Sequence, residues 1–214
     1  MPVPGGVEPA SGEFFDVARR QRACRAFLPD PVGDDVVARV LETATRAPSA
    51  ENTQPWLFVV VRDPQRRAAL GALTRRAWIG GGRAHSEGRL SPGLLEEVEH
   101  GAVGGVAGAP VLVVVCGDAR LTPRAVLGAS VYPAVQNMLL AATALGLGSA
   151  LTTLPLVFGD ELAALVGLPE GVEPLALVPL GWPARAHGPS RRRPFADKAF
   201  AETCATPWSA PGPP

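Results

Sequence analysis

Lysine is almost absent from this sequence: 19 of its 20 basic residues are arginines, and Lys198 is the exception. The chain is also rich in alanine, glycine and proline, so we interpret the excess of arginine as coding bias. A single arginine is therefore weak support for an anion site unless its neighbours are specific too. The 20 acidic residues bring the net charge to zero, and a neutral chain has no overall field that favours nucleic acid or an acidic membrane surface.

Cysteine and histidine are scarce, with three of each. The cysteines are odd in number and far apart, which argues against a disulfide framework, and the histidines do not share metal-ligand spacing with them. These residues are Cys24, Cys116 and Cys204, and His85, His100 and His187. No nucleophile with a base and no Ser/His/Asp arrangement stands out either. We therefore expect no metal, and in an enzyme we expect the reactive atoms to belong to an organic cofactor.

The pattern of a signal peptide is also lacking, because Met1–Pro9 is acidic and rich in proline and glycine. We expect a cytoplasmic protein. The 214 residues, 47% of them hydrophobic, suffice for one substantial core. We predict flexible extensions at residues 1–12 and 205–214 around a single domain at 13–204.

Hydrophobic periodicity and turn residues divide the chain into helices and strands. The predicted helices are Glu13–Gln21, Val36–Arg46 with Asp34 or Asp35 as its cap, Pro64 to about Arg75, Arg124–Leu145, and Gly159–Val166. The predicted strands are Leu57–Arg62, Val111–Cys116, Ser149–Thr153 and Pro174–Pro179. Val111–Cys116 lacks polar alternation, so both of its faces should be covered. Arg124–Leu145 is apolar nearly all round, which is typical of a helix in a core or a subunit interface.

A glycine-rich excursion at residues 75–108 separates two of these elements. A short helix near Leu94–His100 is possible inside it. Long segments of this kind are often functional, and we interpret this one as a lid over the core.

The segment Ala47–Trp56 joins a predicted helix to a predicted strand. Pro48 and Pro55 fix φ near its two ends and remove two backbone donors. Ser49, Asn52 and Gln54 offer hydrogen bonds from this stiffened loop, although an ordinary turn explains them equally well. As a site, the loop would suit a planar ligand with many donors and acceptors.

Arginine pairs and a glycine-threonine segment are the other candidates. Arg22 and Arg25 could grip a phosphate together, and Arg191–Arg193 is a second basic run; both could also be solvated surface. In Gly146–Thr153, glycines would let the backbone approach a flat ligand, and two threonines supply hydroxyls. Here the alternative is a helix end followed by a strand, and the segment is not a dinucleotide fingerprint because it ends a helix.

In this order, the segments resemble the nitroreductase superfamily of FMN-dependent oxidoreductases, from about Arg19 to Phe195. The strongest parts are Ala47–Trp56 and Tyr132–Ser149, followed by Leu180–Pro183 with Arg192-Arg193-Pro194. The spacing from Thr152 to Pro169 is similar to that of iodotyrosine deiodinases and of the flavin-fragmenting enzyme of cobamide synthesis.

The resemblance implies an α+β fold, with a mixed, mostly antiparallel sheet wrapped by helices. It also implies an intertwined homodimer that binds FMN at both subunit interfaces. In this reading Arg22, Arg25 and Arg192 hold the phosphate, and Thr152 and Thr153 approach the flavin ring, where Thr153 could tune flavin N5. The partner chain would line the flavin with Pro48, Ser49 and Asn52.

Two departures from the family pattern stand out. The family's first segment often reads Arg-Arg-Ser-x-Arg, whereas Gln21 and Ala23 replace the first Arg and the Ser here. Ala23 would still lie at the phosphate, but one charge and one hydroxyl are lost, so FMN binding could be weaker. Residues 75–108 match no family motif, and they leave the substrate unassigned.

The resemblance implies NAD(P)H-dependent two-electron reduction of an electron-poor small molecule, such as a nitroaromatic or quinone, by a ping-pong mechanism. Two alternatives stay open: a dehydrogenase or oxidase that acts on a natural product with oxygen as acceptor, and a flavin-binding protein without turnover. Trp56 and Trp78 are candidate pocket aromatics or core residues. We expect neither nucleic acid nor a membrane as a partner.

Overall fold

The computed structural model describes residues 13–208. Helices and strands are numbered in chain order. The helices are α1 Glu13–Arg20, α2 Asp34–Ala44, α3 Pro64–Ala77, α4 Arg83–Ser86, α5 Pro92–His100, α6 Val106–Gly108, α7 Arg124–Ala144 and α8 Gly159–Val166. The strands are β1 Trp56–Val61, β2 Val111–Asp118, β3 Gly148–Ser149 and β4 Val172–Gly181.

The strands form one sheet in the order β1-β2-β4-β3, and each neighbouring pair is antiparallel. In this register Val59 pairs with Val114, and Val114 pairs with Leu177. A parallel bridge between Ala23 and Ser149 extends the β3 edge. The sheet is therefore mixed and mostly antiparallel, and the predicted α+β class is confirmed.

The hydrophobic core lies on both faces of this sheet. Alternate β2 residues point to opposite faces, so Val113 belongs to a cluster with α2 and α7, whereas Val114 belongs to a cluster with α3 and α8. Every residue of β2 is buried. The two-sided covering explains why this strand has no polar alternation.

Helix α7 is long and apolar enough to cross a membrane by length and composition alone. Half of its apolar window is buried in the fold, and a buried core helix passes the same test. Leu127, Val131 and Met138 are fully buried against the sheet. The helix runs without interruption through Pro133. We conclude that its apolar character serves the core.

The helix starts predicted from the sequence are confirmed for α3 and wrong for α2. Asp63 accepts a hydrogen bond from the Arg66 backbone N–H at 2.8 Å, and Pro64 occupies the first position of α3 as predicted. Helix α2, by contrast, begins at Asp34 after Gly33, without a side-chain cap. The prediction of a cap at Asp34 or Asp35 was wrong, because both residues lie inside the first turn, where acidic groups still favour the helix dipole.

The segment predicted as a lid is largely helical. The short helix expected near Leu94–His100 is α5, and the glycine runs fall in two π-helical turns, Trp78–Gly82 and Gly101–Gly105. π-Turns of this kind are frequent at functional sites.

The third strand is shorter than predicted. It contains Gly148 and Ser149, and the chain then returns to the sheet at an isolated bridge between Thr152 and Leu177. Between these points Ala150 and Leu151 do not pair with the sheet. The prediction of a continuous strand over Ser149–Thr153 was therefore wrong.

The expected flexible ends fall mostly outside the described residues. Residues 1–12 and 209–214 lie outside them altogether. Residues 205–208 are described, and Trp208 contacts Phe195 with ring centroids 5.9 Å apart. A bridge between Phe200 and Pro207 closes this turn.

Candidate active site

Arg22, Arg25 and Arg192 line one cleft of about 680 Å³, together with Ala23. The chain after α1 is fixed beside the β3 edge, because the Cys24 backbone N–H donates to the Ser149 carbonyl at 2.9 Å. Arg192 arrives from the segment after β4. The structure thus brings all three predicted phosphate arginines to one place, although Arg192 lies about 170 residues from the other two.

Arg25 is a half-buried cation, and the charge of Glu97 reaches it only from beyond ion-pair distance. Within residues 13–208 its guanidinium forms no hydrogen bond and no ion pair. Burial is the largest influence on it and lowers its pKa. Its side chain packs against Gly101, where a Cβ would lie 2.8 Å from the Arg25 Cδ. A partly desolvated guanidinium in a cleft is a ready partner for a bound anion.

A second cavity of about 280 Å³ adjoins the cleft, and Arg25, Ala150 and Leu151 line both. Its wall is mainly apolar, with a few hydroxyl groups. The large apolar side chains include Phe27, Trp78, Val98, Val106 and Leu154, and the hydroxyls belong to Thr74, Ser86, Thr152 and Thr153. An apolar cavity with a few polar groups is the usual form of a small-molecule site.

Thr152 and Thr153, two of the three threonines of this cavity, differ in which hydrogen-bond donors they leave free. Thr152 exchanges two backbone hydrogen bonds with Leu177, and its Oγ1 accepts from the Leu154 N–H at 3.3 Å. In the described part of the chain, neither the backbone N–H nor the hydroxyl of Thr153 forms a hydrogen bond. Thr153 therefore retains two donors for a ligand.

The segment 78–105 forms the far wall of this cavity. Trp78 is 2% exposed, and its Nε1–H donates to the Glu99 carboxylate at 3.4 Å. Arg83 forms an ion pair with the same carboxylate, and His85 contacts Arg89 through Nε2. Trp78 is thus both a buried residue and a pocket aromatic. Trp56, in contrast, packs against the core cluster of α2 and α7.

The loop Ala47–Trp56 lies elsewhere in this chain, against α7. The Ala50 N–H donates to Ser130 Oγ at 3.0 Å, and Ser49 Oγ accepts from the Gln54 N–H at 3.0 Å. Glu51, Asn52 and Gln54 adopt left-handed backbone conformations, with φ of 51°, 56° and 48°. Such conformations are uncommon outside glycine and concentrate at functional sites.

The predicted site residues therefore form two groups. One group lines the joined cavities and comprises Arg22, Ala23, Arg25, Thr152, Thr153 and Arg192. The other group, Pro48, Ser49 and Asn52, lines neither cavity of this chain. Hydrogen bonds within the loop and to α7 fix its conformation, and these three residues lie outside both cavities.

Sequence reasoning missed Glu97, which lies on α5 and also lines the arginine cleft. Its Oε1 accepts from Arg185 at 2.7 Å, and its Oε2 lies 3.9 Å from Arg22. The neighbouring His187 has a buried Nε2 without a hydrogen-bond partner among residues 13–208. Burial, followed by the charge of Arg22, lowers the pKa of His187. No motif marks these residues, because their proximity depends on how α5 folds back.

The described residues contain no group of three or more His, Cys, Asp or Glu side chains that could hold a metal ion. Cys24 lines the second cavity, and burial raises the pKa of its thiol. The chemistry available at this site therefore consists of cations, the Glu97 carboxylate, the Cys24 thiol, hydroxyls, backbone N–H groups and an apolar wall. These are groups that bind and orient a ligand.

The model of the nitroreductase family matches residues 18–182. The chain belongs to the nitroreductase family. It is similar to "NADH dehydrogenase" of Thermus thermophilus, with 33% identity over 194 residues that cover 83% of this chain and 90% of the relative. It is 29% identical over 196 residues to iodotyrosine deiodinase 1 of Rattus norvegicus, covering 82% of this chain and 64% of that protein.

A solved structure extends this family relationship to the fold. The structure comes from Desulfovibrio desulfuricans, is assigned as a nitroreductase and was solved in complex with FMN. It has a TM-score of 0.71 and 29% sequence identity, and the match covers 92% of this chain and 99% of that one. The resemblance drawn from the sequence is confirmed: the chain is an oxidoreductase of the nitroreductase family.

Proposed function

We propose that this nitroreductase-family chain is an FMN-dependent oxidoreductase that uses NAD(P)H to reduce an electron-poor small molecule, such as a nitroaromatic or quinone. The observation that carries this proposal is the junction of the two cavities at Arg25. One cavity is lined by arginines, and the other by apolar side chains and hydroxyls. This division matches a ligand with an anionic end and a flat, largely apolar end.

FMN fits these residues at its phosphate end. Arg22, Arg25 and Arg192 would hold the phosphate, and Arg25 is a half-buried guanidinium that forms no ion pair among the described residues. Ala23 supplies no hydroxyl, so backbone N–H groups and arginines would make the contacts. Charge-assisted hydrogen bonds from guanidinium groups are roughly twice as strong as neutral ones.

The second cavity supports the placement of the flavin ring. When bound, FMN would supply the two-electron chemistry. Thr153 would offer its free N–H or hydroxyl to flavin N5, and Trp78 would form an apolar wall that excludes water. The ping-pong order, in which the donor leaves before the acceptor binds, follows from the family resemblance and is part of this proposal.

A second copy of the chain would complete the site. Pro48, Ser49 and Asn52 line neither cavity of their own chain, and Pro48 and Asn52 are exposed. Helix α7 also leaves Val126 and Tyr132 exposed, at 45% and 42%. We therefore propose a homodimer in which the loop of one protomer covers the flavin of the other. Light scattering of the purified protein tests this stoichiometry, and a monomer that retains FMN would contradict it.

Stopped-flow reduction of the FMN-loaded protein by NADPH and NADH tests the direction of electron flow. We expect the flavin absorbance to bleach with at least one donor, and a nitroaromatic or quinone to restore it. If neither donor bleaches the flavin, the reductase proposal fails and the oxidase is favoured. A yellow protein that reduces no acceptor in such a panel would instead indicate a flavin-binding protein without turnover.

A further inference from the structure

Glu97 places a carboxylate inside the arginine cleft. Of the residues that line this cleft, Glu97 alone is acidic. Its two oxygens face different arginines, Arg185 at 2.7 Å and Arg22 at 3.9 Å. Its side chain is one-third exposed, so solvent weakens both ion pairs without removing them.

Glu97 lies on α5, within residues 75–108, the segment that matches no family motif. Helix α5 is seated on the arginines, because Gly101, just past its end, packs against the Arg25 side chain. The carboxylate therefore has a defined position next to the guanidinium groups. A bound phosphate would accept hydrogen bonds from the same guanidinium groups. The negative charge of the Glu97 carboxylate beside them would repel it.

We propose that Glu97 is an affinity-determining residue that competes with the FMN phosphate for Arg22. The proposal rests on the proposed function, since it concerns the cofactor of that site. In the free protein the carboxylate satisfies part of the charge of Arg22 and Arg185. Binding of the phosphate draws Arg22 away from Glu97 and leaves Arg185 as the partner of the carboxylate.

A merely structural role would give a different result. If Glu97 only ties α5 to Arg185, its contribution concerns the shape of both cavities, and it would affect every flavin alike. If it competes with the phosphate, its effect is confined to ligands that carry one. Riboflavin has the same ring as FMN without the phosphate, so the pair separates the two roles.

Glu97→Gln is the appropriate variant, because its amide oxygen can still accept from Arg185 while the charge is removed. Glu96→Gln is the matched control: it makes the same charge change one residue away, on an exposed side chain that forms no ion pair within the described residues. Dissociation constants for FMN and riboflavin would be measured by flavin fluorescence on apo-protein. Thermal unfolding would show that all three proteins are folded.

We expect Glu97→Gln to bind FMN about three- to tenfold more tightly at low salt, with a smaller gain at high salt because the repulsion is screened. Riboflavin affinity should stay within about twofold in both variants, as should FMN affinity in Glu96→Gln. Equal tightening for both flavins, or weaker binding of FMN, would overturn the inference. A wild-type protein that binds FMN as tightly as Glu97→Gln would also overturn it, whereas a wild-type protein that binds neither flavin would remove the proposed function itself.

Discussion

Gly105 packs directly on the backbone of Arg25: a Cβ at position 105 would lie 2.0 Å from the Arg25 carbonyl oxygen. The contact joins the π-turn Gly101–Gly105 to the segment that carries the candidate phosphate arginines. A residue with a side chain could occupy position 105 only if one backbone moved. The glycine-rich segment is thus fitted to the segment of the arginine cleft as well as to the apolar cavity.

Replacement of Gly105 by alanine should therefore lower both stability and FMN affinity. We expect a loss of about 1 to 3 kcal/mol in the free energy of unfolding, as for other overpacked positions. Gly104→Ala is the control, since a Cβ there meets nothing within 4 Å and alanine is favoured over glycine in a helix by about 0.5 to 1 kcal/mol. Urea unfolding and flavin titration measure both quantities. Equal behaviour of the two variants would contradict the packing argument.

Removal of a phosphate arginine should release FMN and leave the protein folded. For Arg22→Ala or Arg192→Ala we expect FMN affinity to fall roughly 10- to 100-fold, because each variant loses charge-assisted hydrogen bonds worth about 1.5 to 3 kcal/mol. Arg193→Ala is the matched control, because Arg193 is exposed and does not line the cleft. The ratio of flavin to protein absorbance after gel filtration reports occupancy. Full occupancy in both cleft variants would refute the phosphate assignment.

Asp118, at the end of β2, should make part of the free energy of unfolding depend on pH. Its carboxylate accepts hydrogen bonds from the Arg120 guanidinium at 2.8 and 2.6 Å and from the Arg120 backbone N–H at 2.9 Å. The bonds to the Arg120 side chain are the main cause that lowers its pKa to about 2. Because the folded value lies below the unfolded one of about 3.9, the stabilisation is complete above about pH 5 and is lost as the pH falls towards 2.

The difference in thermal midpoint between wild type and Asp118→Asn measures this contribution. We expect the difference to be constant from about pH 7 to 5 and to shrink steadily below about pH 4. Asp35→Asn serves as a control, because Asp35 is an exposed residue that forms no ion pair within residues 13–208. A difference that is undiminished near pH 3 would show that Asp118 acts through packing rather than through its charge.

The three cysteines should differ sharply in reactivity. Cys204 is exposed, whereas Cys24 and Cys116 are buried. Burial raises the pKa of the Cys116 thiol to about 12, and the thiolate is the reactive species. We expect a maleimide near neutral pH to add once to the native protein, at Cys204, and three times after unfolding. Rapid modification of Cys116 in the native state, detected by mass spectrometry, would contradict this structure of the core.

The elements that sequence periodicity predicted best are those whose environment is uniform. Helix α8 has the predicted bounds, and β2 contains all of Val111–Cys116 because each residue is covered on both faces. Errors arose where pairing depends on distant segments. Strand β3 is short because its partners are Leu180 and Gly181 at the end of β4, which no local pattern of residues 148–153 reveals.

In the candidate site, too, local motifs predicted some residues, whereas residues that depend on tertiary packing were missed. The arginine motifs identified Arg22, Arg25 and Arg192, and the fold places them in one cleft. Glu97 and Gly105 carried no signal, since an acidic residue on a helix and a glycine in a glycine-rich run are both common. Their roles depend on how residues 78–105 fold back on Arg25, which only tertiary packing determines. The assignment of individual residues to FMN stays a prediction.

The left-handed residues of the loop between α2 and β1 have a thermodynamic consequence for assembly. Each such conformation costs of the order of 1 kcal/mol, and hydrogen bonds within the same chain hold Glu51, Asn52 and Gln54 in it. The rest of the fold supplies that energy when the chain folds. Little conformational entropy then remains to be lost when the loop meets another surface, so association should be limited by collision and orientation rather than by a search among loop shapes.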